Sequence, residues 1–157
     1  MKKTLSLLFL TLPFQAITQS NSLKSPQNLS PAPAAQYTPA ALTAPLIFKW
    51  TPQTPEQKAP TKYRLRIWQL MVGQSIKQAM RVNQPLVTKD VKFATKTIIF
   101  GLISEPCITP YPCRFVWTVQ AMSMYGDYVI SPNNGTSKPT SFQVITTTKS
   151  TKNLAMN

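Results

Sequence analysis

Phe115-Val116-Trp117-Thr118-Val119-Gln120-Ala121 decides the fold, read together with Tyr63-Arg64-Leu65-Arg66-Ile67-Trp68. Tyr63, Leu65 and Ile67 alternate with Arg64, Arg66 and Trp68, and Phe115, Trp117, Val119 and Ala121 alternate with Val116, Thr118 and Gln120. A period of two is that of a strand laying one face on a core and the other toward solvent. Both stretches therefore read as half-buried strands.

Working outward, Leu46 to Trp50, Leu86 to Val91, Lys96 to Leu102 and Thr140 to Ile145 read as further short strands, each bounded by Pro, Gly or Asn clusters. Helical signals are scarce. Proline occurs 15 times, and only Ser75 to Val82 carries a helical apolar stripe, enough for one or two turns. A single sheet would leave one face of Ile47, Leu65, Phe115 and Trp117 in water, whereas two packed sheets bury those faces about 10 Å apart. The expected class is all-β, a sandwich with one core.

The margins differ in composition. Met1 to Ser20 opens with Lys2 and Lys3, runs apolar from Leu5 to Phe14 and then turns polar, the layout of a secretory signal. Its apolar run falls short of the roughly 20 residues that span a bilayer, so the chain is not expected to cross a membrane. Residues 1–18 are expected to be removed, with Gln19 the first mature residue, and no Cys before Cys107 offers a lipid attachment point. Residues 19–44 form a Pro-rich extended segment that includes the first strand, residues 45–145 the sandwich, and residues 146–157 a polar tail; both margins read as extended or disordered. The expected destination is the periplasm or release from the cell.

Composition removes most catalytic chemistry. The 157 residues include no His, 17 Lys and Arg, and four acids, Glu56, Asp90, Glu105 and Asp127, for a net charge of +13. Without His there is no ordinary catalytic triad and no His-containing zinc site. Two cysteines cannot alone build a four-Cys zinc site or hold an iron–sulfur cluster. No metal, no cofactor and no catalytic residue is expected. Cys107 and Cys113 instead suggest a disulfide closing the loop stiffened by Pro110 and Pro112, because export favours oxidation. Such a short loop gives about 2 to 3 kcal/mol by chain entropy.

Leu46-Ile47-Phe48-Lys49-Trp50-Thr51-Pro52, Tyr63-Arg64-Leu65-Arg66-Ile67 and Phe115 to Ala121 occur in the order found in fibronectin type III domains, and the chain resembles such a domain over Ser25 to Val144. More narrowly it is similar to the fibronectin-like TANFOR modules of large exported Bacteroidota proteins, which share the Trp-Thr-Pro, Tyr-x-Leu-x-Ile and Trp-x-Val-x-Ala motifs. The resemblance implies a seven-stranded immunoglobulin-like sandwich. Strand A would lie in Ser25 to Pro31, B in Leu46 to Thr51, C in Lys62 to Leu70, and C′ in Leu86 to Val91. Strand E would be Thr95 to Leu102, F Arg114 to Ser123, and G Thr140 to Ile145. Trp50 and Trp117 become core aromatics beside Tyr63, Leu65, Ile67, Phe115 and Val119. Many members place a Tyr near the start of strand F whose hydroxyl ties down the E to F corner. Phe115 stands there instead, and a Cys107–Cys113 bridge would stiffen the same corner.

Strand parity sets Arg64, Arg66 and Trp68 on one outward face, with Thr118 and Gln120 nearby, and Tyr125, Asp127 and Tyr128 fall in the following connection. Trp and Arg recur at binding hot spots, so Arg64, Arg66, Trp68, Gln120, Tyr125 and Tyr128 are the candidate binding residues; a solvated outer face is the plainer reading. Asn133-Asn134-Gly135 reads as a turn tolerating positive φ. Asn28-Leu29-Ser30 and Asn134-Gly135-Thr136 also match the glycosylation acceptor pattern.

The expected function is a non-enzymatic exported adhesion, scaffold or binding module of the cell envelope. Its expected partner is an envelope protein or an anionic or neutral glycan, rather than nucleic acid. The alternative is a carbohydrate-binding or accessory hydrolase domain. A glycosidase needs two carboxylates roughly 5 to 10 Å apart, and Glu105 with Asp127 is the pair to consider. A third possibility is a single copy of a module usually repeated, acting through an oligomer.

Overall fold

The computed structural model of the chain describes residues 24–52, 61–92, 94–102, 112–123 and 132–145. Among them, eight strands form two facing sheets. The first is three-stranded, in the order β1 (Asn28–Ser30), β3 (Leu46–Trp50), β6 (Lys96–Ile99). The second is five-stranded, in the order β2 (Ala35–Tyr37), β8 (Thr140–Val144), β7 (Cys113–Ser123), β4 (Thr61–Leu70), β5 (Val87–Lys92). The expected alternating stretches are the two central strands of this larger sheet, paired antiparallel from Thr61 opposite Ser123 to Leu70 opposite Arg114.

Period two decides what enters the core. Tyr63, Leu65 and Ile67 of β4 and Phe115, Trp117, Val119 and Ala121 of β7 meet Leu46, Phe48 and Trp50 of β3 in one buried cluster. Phe48 meets the Trp117 indole edge-on at 5.1 Å, Phe115 stacks on Phe142 at 5.2 Å, and Trp50 tilts against Tyr63 at 5.7 Å. Such pairs each contribute about 0.5 to 1.5 kcal/mol beyond their burial. The strand from Leu46 to Trp50 forms as expected, but Ile47 does not face inward. With Trp50 buried, parity takes Phe48 and Leu46 with it and turns Ile47 outward, 45% exposed.

Three expectations are corrected. The sandwich has eight strands rather than seven, because β2 pairs parallel with β8 and makes the larger sheet mixed. The N-terminal margin is not disordered from residue 24 onward: β1 pairs antiparallel with β3, and β2 joins the opposite sheet. Proline lacks an amide hydrogen but suits extended backbone at a sheet margin. Pro26 is fully buried, and the crossover between sheets runs through buried Pro31, with a cis Ser30–Pro31 bond, and Ala34 at φ 59°. Finally, β7 is buried on both faces rather than one, since other elements cover its outer side.

One cover is the expected helical turn. After Gly73, at φ 80°, Ser75 caps α2 (Ile76–Val82) by accepting a hydrogen bond from the Gln78 amide at 3.2 Å. Ala79 of α2, with Ile76 and Met80 packed alongside, closes over Trp68, Leu70 and Val116. A single earlier turn, α1 (Ala40–Thr43), leads toward β3. The turn Pro132–Gly135 is the second cover, with Asn133 at φ 57°, Asn134 at φ 50° and Gly135 at φ 71°, as the Asn-Asn-Gly sequence predicts. Cys113 is buried at the start of β7, and no cysteine among the described residues is free. Cys107, residues 146–157 and the expected signal segment, residues 1–18, lie outside the described residues.

Candidate functional site

The outward residues of β4 set up the candidate face. Lys62, Arg64 and Arg66 stand on alternate positions, opposite Met122, Gln120 and Thr118 on β7 and opposite Lys92, Asp90 and Thr88 on β5. The result is a row of three cations along one strand.

Each has a different environment. Arg64 forms a two-pronged bond to Asp90, Nε to Oδ1 at 2.7 Å and Nη2 to Oδ2 at 2.9 Å, while Lys62 Nζ lies 3.6 Å from the same carboxylate. The hydrogen bond from Arg64 chiefly holds the Asp90 carboxyl below its usual range; partial burial opposes this, and the charges of Arg64 and Lys62 add to it. Among the described residues Arg66 has only a long contact, Nη1 to Gln120 Oε1 at 3.5 Å. Gln120 is itself held, its Nε2 donating to the Asn134 carbonyl at 3.1 Å. The amide is thereby oriented with its oxygen toward Arg66, and the other guanidinium N–H groups have no partner among the described residues.

The structure redistributes the expected binding residues. Arg64, Arg66 and Gln120 come together, but Gln120 is buried, as is Thr118. Trp68 leaves the patch altogether. It points outward from the sheet as parity requires, but α2 covers it and it is 5% exposed. An outward Trp thus signals a covered face, and the weak apolar stripe of Ser75 to Val82 is the matching half of that signal. Tyr125 and Tyr128 lie outside the described residues. Asp90, the group that holds Arg64, escapes sequence reasoning because their pairing depends on the register of β4 and β5. Its only signal is its place in an expected strand, at a parity that could face an arginine.

Among the described residues no cluster of His, Cys, Asp or Glu could hold a metal ion, and no helix is long and apolar enough to cross a membrane. The Glu105 and Asp127 pair lies outside them. No family model matches the chain, and no curated protein matches it in sequence.

Proposed function

We propose that this chain is a non-enzymatic exported module of the fibronectin type III kind that binds an acidic surface polymer or protein at the cell envelope, as an adhesion or scaffold element. The order of the strands supports the fold part. With β1, β3, β4, β5, β6, β7 and β8 as strands A, B, C, C′, E, F and G, one sheet runs A-B-E and the other G-F-C-C′, with β2 added beside G. The signal-like layout of residues 1–18 supports export, and the net charge of +13, still +11 without Lys2 and Lys3, supports an acidic partner.

The observation that carries the binding part is Arg66, set beside an amide that the Asn134 carbonyl already orients. A guanidinium fork with donors to spare matches carboxylates and sulfate or phosphate esters. Affinity electrophoresis of the full chain through gels carrying an acidic or a neutral polysaccharide tests it. Retardation by the acidic polymer, lost at high salt and reduced severalfold by Arg66→Ala, is the expected result. Retardation by the neutral polymer alone favours the carbohydrate-binding alternative. If neither polymer retards the chain and envelope extract yields no retained component at low salt, the proposal fails.

A further inference from the structure

The outer face of the three-stranded sheet carries a second surface on residues unrelated to the Arg66 face. On β3, Ile47 and Lys49 point away from the core, and on β6 so do Lys96 and Ile98. The register sets Ile47 directly opposite Ile98 and Lys49 directly opposite Lys96. Ile47 is 45% exposed and Ile98 44%, while Phe100, just past the end of β6, is 70% exposed. Leu29 on the adjoining β1 is exposed as well. One face thus joins an apolar pair to a cationic pair one step along the same two strands.

Folding explains neither half. Exposed apolar side chains gathered on one face mark an interaction surface rather than the scatter found on any protein. Like charges directly opposite on neighbouring strands destabilise a sheet. Among the described residues no acid relieves them: β1, β3 and β6 contain none, and the carboxylate of Asp90, on the other sheet, is bound by Arg64 and Lys62. A further ammonium stands at the margin of the patch, where Lys89 Nζ donates to the Ile98 carbonyl at 3.1 Å. A local cost in stability with no structural return is the pattern of a functional site.

We propose that this face docks on an anionic lipid surface, with Ile47, Ile98 and Phe100 entering the interfacial layer and Lys49, Lys96 and Lys89 meeting headgroup phosphates. A neutral apolar partner would leave the lysines desolvated and unpaired, and an acidic polymer alone would leave the isoleucines and Phe100 in water. A second copy would bring one Lys49–Lys96 pair against another. An anionic membrane surface satisfies both halves at once. The inference does not depend on the Arg66 reading.

Sedimentation of the full chain with vesicles of mixed phosphatidylcholine and phosphatidylglycerol, against phosphatidylcholine alone, tests the proposal. Binding is expected on the anionic vesicles only, weakening with salt, and falling about tenfold in both Phe100→Ser and the Lys49→Gln, Lys96→Gln double variant. Lys77→Gln, a charge change on α2 beyond the opposite sheet, keeps more than half of the binding. The double variant unfolds at the same or a higher temperature than the parent, so its loss of binding is not a loss of fold. Equal sedimentation with neutral vesicles, or binding that Phe100→Ser leaves unchanged, overturns the proposal. So does a concentration-dependent dimer by light scattering that Phe100→Ser abolishes while no vesicles are bound, since a second copy would then own the face.

Discussion

The Trp117 indole donates its N–H to the Pro31 carbonyl at 3.3 Å, inside the core and across 86 positions of sequence. That bond fastens the N-terminal segment to the central strand of the opposite sheet. The side-chain amide of Asn28 reinforces it, donating within 3.2 Å of the Trp117 carbonyl and 3.0 Å of Thr140 Oγ1.

Trp50 is the natural comparison, because it is also buried but its indole nitrogen has no hydrogen-bond partner among the described residues. Replacing either Trp by Phe removes similar volume. Trp117→Phe additionally strands the Pro31 carbonyl, whereas Trp50→Phe removes a donor that was already unpaired. Trp117→Phe is expected to cost more than Trp50→Phe by about 1 to 3 kcal/mol in urea unfolding. Equal losses would mean that the Pro31 bond contributes little.

Trp68 and Arg64 share a sheet face but differ in consequence. Trp68→Ala opens a cavity beneath α2 and is expected to cost about 3 to 5 kcal/mol, with loss of helical circular dichroism as α2 comes away. Arg64→Ala removes a partly exposed ion pair and should stay within about 1 kcal/mol of the parent. A mild Trp68→Ala would contradict the covering role of α2.

Asp90 makes stability depend on pH in one direction. Because its carboxyl is held below the usual range in the folded chain, its contribution is complete above the unfolded carboxyl value of about 4 and is lost as pH falls through the folded value. Thermal midpoints of the parent and Asp90→Asn should therefore differ at neutral pH by no more than about 1 kcal/mol of stability. The two should converge in acid. A difference that grows on acidification would contradict the Arg64 and Asp90 assignment.

For the cysteines, we expect Cys113, buried at the start of β7, to bridge to Cys107. Adding reductant to a protein shown by mass to be oxidised is expected to lower the thermal midpoint, by the equivalent of about 2 to 3 kcal/mol. An unchanged midpoint would remove the bridge from the account of this corner.

The strands were legible because alternation is local: Tyr63 to Trp68 and Phe115 to Ala121 state their own period, and Ser75 announces α2 three residues before the amide it caps. Core membership followed for Leu65 and Trp117, where parity and size agree, whereas Trp50 was expected in the core through the family resemblance and not through parity. Ile47 shows the limit, since apolar character alone does not say which parity faces inward. The candidate site was less legible. Arg64 and Arg66 share an outward parity that can be counted along the chain, but the partner of each cannot.

What the amino-acid order determined by itself was therefore most of the strands, the inward faces of β4 and β7, and a strongly basic chain without histidine chemistry, all of which depend on composition or on neighbours a few positions apart. Tertiary structure alone decided that α2 covers Trp68, that Asp90 holds Arg64 from 26 positions away, and that the proline-rich start closes both sheets. Those outcomes depend on register and on packing between distant segments, and no local pattern of residues encodes either one.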